Sequence, residues 1–197
     1  MNYTVLMKGI IFRSFETFVS ERFGDGIVDQ VWEQPALSTG GAFTTIGNYP
    51  HSDLITLVAM VSEKSGLAAS ALIRDFGEAL FGTLGTVHSD LVAQFKTPIA
   101  LLSVIETVIH RDVRKIYNNT ELPRFDVIDQ KGDEFLCLDY SSARPFADLA
   151  EGLILGCLSH YNVKDSSYVE RDDIKPDGTH SRFKISINSN GQRQENA

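Results

Sequence analysis

Two residue classes are scarce in this chain, and each scarcity excludes a function class. Only two cysteines occur in 197 residues, Cys137 and Cys157, with no paired spacing. That excludes a disulfide framework and fits a reducing cytoplasm. Both read as small buried apolar residues. Basic residues are outnumbered, 18 against 26 acidic, for a formal net charge of -8. A chain so acidic is a poor partner for a nucleic-acid backbone or an anionic membrane surface. No apolar run reaches the ~18 residues of a membrane-spanning helix. The start has no basic segment followed by an apolar one, so no signal peptide is expected. There is no P-loop, dinucleotide fingerprint or Ser/His/Asp set, and the chain is not expected to be an enzyme.

What is present suffices for one domain with a sizeable core, since 43% of the residues are hydrophobic. The first half reads as helix. Phe15, Phe18, Val19 and Phe23 share a helical face. A second helix starts near Asp53-Leu54 with Ser52 as its cap, and Gly66 ends it. Ala69 to Leu84 is a third, aligned on Leu72, Ile73, Phe76 and Leu80. Pro98 opens a longer helix running to about Tyr117. The period then changes to two over Arg124–Ile128, Glu134–Ser142 and Ser181–Ile187, with a turn at Lys131-Gly132. One more helix lies between, opened by Pro145, with Phe146, Leu149, Ala150, Leu153, Cys157 and His160 on one face. The acidic stretch from Asp165 to Asp177 reads as a solvated loop, its spacing unlike that of an EF-hand. Helices first and strands later predict an α+β fold with an antiparallel sheet. One domain over 1–187 is expected, with 1–6 an extra edge segment and a polar, disordered tail at 188–197.

Chemistry concentrates in two places. Tyr140, Ser142 and Arg144 alternate, so on a strand they share a face and offer two hydroxyls and a guanidinium. That is a clamp for a pair of carboxylates, because Arg meets a carboxylate with a two-pronged fork. His110 is a solitary imidazole in a helical pattern, 30 positions before Tyr140. Haem carries two carboxylates and an iron that takes an imidazole. A polar sheet edge and a hydrogen-bonded histidine are the plainer readings of the same residues.

The ordered set of segments decides between these readings. Met7-Lys8-Gly9, Gly47-Asn48-Tyr49-Pro50, Phe76-Gly77, Leu80-Phe81, His110, Tyr117, Leu122-Pro123-Arg124-Phe125, Tyr140-x-Ser142-x-Arg144 and Glu151-Gly152-Leu153 follow one another from about Met7 to Ile187. In this order they resemble the H-NOX family, the haem nitric-oxide/oxygen-binding domains, in its bacterial stand-alone form. The resemblance implies a helical N-terminal subdomain packed on a C-terminal subdomain that carries the sheet, with haem b (iron protoporphyrin IX) buried between them. It implies His110 as the iron ligand, Tyr140, Ser142 and Arg144 as the propionate clamp, and Ile11, Phe81, Pro123 and Leu153 against the ring. Pro123 is the residue that presses on the porphyrin. Periodicity alone does not separate these apolar positions from plain core.

The resemblance also carries selectivity. In oxygen-binding members a Tyr five positions after the clamp Arg donates to bound oxygen; here that residue is Leu149. The supporting polar positions correspond to Leu80 and Phe15. A wall of Phe15, Leu80 and Leu149 has no donor, which implies a sensor of nitric oxide at ferrous iron rather than an oxygen sensor or a peroxidase-type enzyme. Some bacterial relatives carry a Cys/His zinc cluster near the C-terminus; no cysteine follows Cys157, so none is expected here. The implied partner is a histidine kinase or a cyclic-di-GMP enzyme in the cytoplasm, with no nucleic acid and no membrane.

Overall fold

In the computed structural model, which describes residues 5–33, 37–116 and 121–188, the chain opens with a short ribbon and then builds helices. β1 (Leu6–Lys8) leads directly into α1 (Gly9–Phe23) and α2 (Asp25–Trp32). β2 (Asn48–Pro50) pairs antiparallel with β1 and leads into α3 (His51–Ser65). Leu6 of the expected edge segment is therefore a ribbon residue, and residues 1–4 lie outside the described residues. The expected Ser52 cap is not found. α3 starts two residues earlier, with Pro50 at its cap position and no side-chain cap. The residue before β1 supplies the missing partner: the His51 main-chain N–H donates to the Val5 carbonyl, and the His51 ring nitrogen Nδ1 lies 3.0 Å from the same oxygen.

α4 (Ala69–Val87) and α5 (Ser89–Val92) follow. The single helix expected from Pro98 to Tyr117 is broken into three pieces. These are α6 (Pro98–Leu102), a π-helical segment Ile105–His110, and α7 (Arg111–Ile116); Tyr117 lies outside the described residues. Composition explains the break. The Ser103 hydroxyl bonds back to the Ala100 carbonyl, and the β-branched Val104, Ile105, Thr107, Val108 and Ile109 are weak helix formers. The Ile109 N–H reaches the Val104 carbonyl, five residues back, at 3.4 Å.

The sheet has four antiparallel strands, not three, in the order β3-β4-β6-β5. They are β3 (Arg124–Lys131), β4 (Phe135–Ser141), β5 (Ser167–Lys175) and β6 (His180–Ile187). The strand missing from the sequence reading is β5, the stretch read as a solvated acidic loop. It is an edge strand, and its charges suit an edge. Glu170 and Asp172 pair with Lys184 of β6, while Arg171 bonds to Asp148 and Glu151 of the last helix. That helix, α8 (Ala147–His160), covers one face of the sheet. Pro145 precedes α8 rather than opening it, because Phe146 donates to Arg144 and Ala147 donates to the Gly178 carbonyl at 3.2 Å. His160, expected on the buried face, is exposed at the C-terminal end against the Phe81 and Tyr161 rings. Of the expected tail, only Asn188 is among the described residues.

Two cores result. One fills the helical half with Phe12, Phe15, Leu54, Leu72 and Phe76. The other joins α6, α8 and the sheet through Ile99, Leu136, Leu138, Ile154 and Phe183. Both cysteines are buried and free, and burial pushes the Cys157 thiol up to about 12. The halves meet where α4 and α8 touch through glycine. A Cβ on Gly152 would sit 2.0 Å from the Arg74 carbonyl and 2.8 Å from the Gly77 Cα. A Cβ on Gly156 would meet the Glu78 carbonyl and the Phe81 Cβ at 2.6 Å. Among the described residues no single helix is long and apolar enough to cross a membrane.

Gly152→Ala is therefore expected to destabilise the protein by about 1–3 kcal/mol through overpacking. Gly82→Ala, at an open position of the same α4 helix, is expected to be neutral or to stabilise by about 0.4–1 kcal/mol. Urea midpoints of the two variants check both, and equal effects would contradict the steric account.

Candidate functional site

Between the two cores lies a cavity of about 290 Å³. Leu80, Phe81 and Leu84 of α4, with His88 just past its end, form one part of its wall, and Leu149, Ala150, Leu153 and Ile154 of α8 another. Leu101 and Leu102, the π-helical segment, Leu122-Pro123, Phe125 and the Met7–Ile11 region complete it. All nine residues singled out in the sequence line this one cavity: His110, Tyr140, Ser142, Arg144, Pro123, Ile11, Phe81, Leu149 and Leu153. Leu80 does as well. Phe15 does not. Its side chain is fully buried in the helical core, stacked near Phe18 and Trp32 and edge-on to Phe76 at 5.0 Å. The correspondence that placed it on the cavity therefore does not hold, because α1 turns that face toward α2 and α4.

The three clamp residues converge, though not as one strand face. β4 ends at Ser141, so only Tyr140 is a strand residue. Ser142 and Arg144 lie on the bend beyond, where the Ser142 hydroxyl accepts from the Arg144 N–H at 3.1 Å. Arg144 is 5% exposed, and its guanidinium donates to the main-chain carbonyls of Leu6, at 3.3 Å, and Glu121. A cation so placed holds two neutral acceptors in a region that favours an anion. Burial is the main cause that lowers its pKa, against the opposing pull of Tyr140 and Glu121. Tyr140 is 2% exposed, and burial raises its pKa, so the hydroxyl keeps its proton and remains a donor. The Phe125 ring lies 5.3 Å from that of Tyr140 and 5.9 Å from that of His110, joining the two polar regions.

His110 ends the π-helical segment, its side chain 13% exposed. Burial lowers its pKa, against a smaller contrary pull from Glu106, so the ring is neutral. A neutral imidazole has one nitrogen free to offer a lone pair. Glu106 is a site residue that the sequence reading missed. Its Oε2 is 3.1 Å from His110 Nδ1, and its Oε1 accepts from Arg114 at 2.7 Å. The signal was there in the spacing, since Glu106, His110 and Arg114 recur every four residues. His88 was missed as a cavity residue too. It is the residue that follows the end of α4, eight positions after Leu80, and its N–H donates to the Leu84 carbonyl at 2.9 Å.

The Haem-NO-binding family matches residues 8–166 of the chain. Among solved structures, the Fe(II) unliganded H-NOX protein from K. algicida is 34% identical, with a TM-score of 0.87 over 95% of this chain and 100% of that one. The H-NOX from Shewanella woodyi in the Fe(II)CO state is 33% identical, with a TM-score of 0.78 over 96% and 98% of the two chains. The H-NOX protein from S. oneidensis in the Fe(II)NO state is 26% identical, with a TM-score of 0.80 over 92% and 99%. No curated protein matches the chain.

Since the folded His110 loses its proton more readily than an unfolded histidine, acid favours the unfolded chain. The contribution of neutral His110 is complete above its ordinary value of 6.5 and is lost as pH falls through it toward the folded value. The urea midpoint of haem-free protein is expected to fall further between about pH 7.5 and about pH 5 than that of His110→Leu. Parallel profiles would contradict the burial assignment.

Proposed function

The chain belongs to the Haem-NO-binding family of haem-based gas sensors, and on that premise we propose that it is a nitric oxide sensor carrying haem b and regulating a separate signalling protein. The observation that most supports this reading is the meeting of His110 with Tyr140, Ser142 and Arg144 on one apolar cavity. The donor set fits the group: a neutral imidazole for a metal, a buried guanidinium and two hydroxyls for carboxylates, and leucine, isoleucine and phenylalanine for a flat apolar ring. Haem, when bound, would supply a ferrous iron with one position open to a diatomic gas.

The chain's own residues do the rest. His110 provides the protein's bond to the metal. Arg144, which holds two carbonyls here, would hold propionates, since a charge-assisted fork is stronger than a bond to a neutral acceptor. Tyr140 and Ser142 donate beside it. Pro123 presses on the ring, and Ile11, Phe81, Leu149 and Leu153 cover it and keep water out.

Selectivity rests on Leu149. Oxygen on ferrous iron gains from a hydrogen-bond donor, and nitric oxide needs little such help. Leu80, Leu84, Leu149 and Leu153 offer none, and His88 lies past the end of α4. A peroxidase-type reaction needs an acid–base pair at that wall, which the leucines do not supply. His110 sits in a segment outside regular helical geometry, so a gas with different affinity for two states of that segment would shift the population between them. The output partner is a histidine kinase or a cyclic-di-GMP enzyme, in the cytoplasm.

Absorption spectra of the haem-loaded ferrous protein test the reading. Wild type is expected to keep its spectrum in air and to change it with nitric oxide, and His110→Ala is expected to lose the native ferrous spectrum. Failure to take up haem would sink the proposal. Leu149→Tyr is expected to raise oxygen affinity up to about tenfold, the worth of one hydrogen bond; an unchanged affinity would remove Leu149 as the selectivity residue.

A further inference from the structure

We propose that Glu106 is a positioning residue for His110, fixing which ring nitrogen carries the proton and how strongly the other one donates. The inference rests on the reading that His110 is the iron ligand. The geometry is local. Glu106 Oε2 lies 3.1 Å from His110 Nδ1 across one turn, and its other oxygen accepts from Arg114 Nη2 at 2.7 Å across two. Ionised carboxylate oxygens only accept, so Nδ1 must be the nitrogen that donates. The neutral ring holds one N–H, so the Nδ1–H form puts the lone pair for a metal on Nε2. The Pro123 carbonyl is a second acceptor beside the ring and competes for that proton, and Glu106 tips the choice toward Nδ1.

Arg114 makes the arrangement directional. It occupies the second carboxylate oxygen and holds the group at a fixed rotation, so Glu106 faces His110 with Oε2. The carboxylate is three-quarters buried and the imidazole more so, which strengthens their bond relative to one in water. A carboxylate behind a ligating histidine raises the basicity of the ligand and fixes its plane. The π-helical turn matters here, because Glu106 and His110 both lie within it. A change in its register moves Glu106 relative to the ring, so the strength of the His110 bond and the state of the segment are coupled. Glu106 would thereby tune how strongly His110 holds a metal.

Two variants of the full chain test this, with readouts that a merely structural role would not move. Nitrogen-15 NMR of the histidine rings in haem-free protein reports the tautomer without any cofactor. Wild type is expected to show the Nδ1–H form at His110; Glu106→Leu is expected to lose that preference, and the near-isosteric Glu106→Gln to keep the fold while weakening it. In the haem-loaded ferrous protein the iron–histidine stretching frequency is expected to drop in Glu106→Gln and further in Glu106→Leu, with haem affinity lower by roughly 10–100-fold. A wild-type tautomer and frequency in both variants would overturn the proposal. If wild type takes up no haem, the sensor reading fails on its own, and the tautomer measurement still decides the role of Glu106.

Discussion

The structure depends on a backbone-to-backbone contact between two helices. At Gly77, Gly152 and Gly156 the α4 and α8 main chains approach so closely that no side chain fits between them. Close approach here brings the faces of the two helices beside this seam into one wall, and that wall supplies Leu80, Phe81, Leu149 and Leu153 to the cavity. A wider spacing would separate the helical core from the sheet core and open the cavity to water. Interiors are packed like crystals and do not deform smoothly, so the seam holds the cavity at one size.

Polarity is distributed around that cavity with economy. Most of the lining is aliphatic or aromatic; His110, backed by Glu106, forms one polar place and Tyr140 with Ser142 and Arg144 another, while Lys8, His88 and Glu121 lie elsewhere on the wall. Each buried charge has partners, as burial requires. Those of Arg144 are neutral carbonyls from β1 and the Glu121 segment, which tie the ribbon to the sheet end. Arg171 plays a comparable part behind α8, where it links the edge strand β5 to Asp148 and Glu151. The helix that presents Leu149 to the cavity is thus held on its other side by the sheet.

Much of this was legible beforehand, for reasons particular to each element. Regular apolar periods located α1, α3, α4 and α8, because a helix that buries one face must repeat its apolar residues along that face. β4 and β6 were legible from alternation. β5 was not, since as an edge strand it carries acidic residues outward and an arginine inward, and burial leaves little period-two signal in such a pattern. The break between α6 and α7 was also missed. Its apolar residues keep helical spacing while β-branching disfavours the helix itself. Phe15 was misplaced because a helical face says that a residue is buried and does not say against what.

By itself, the sequence determined the chemical inventory: an acidic chain with an imidazole at His110 in a helical pattern, a Tyr-x-Ser-x-Arg run, and enough apolar residues for a core. It determined local structure wherever burial imposes a period. Tertiary structure alone decided that His110, Pro123 and Arg144 face the same space, since their separation along the chain carries no distance information. It alone decided that Leu149 lines the cavity and Phe15 does not. It also decided that Glu106 is held between Arg114 and His110, because the rotation of a carboxylate is set by the partners that fold around it.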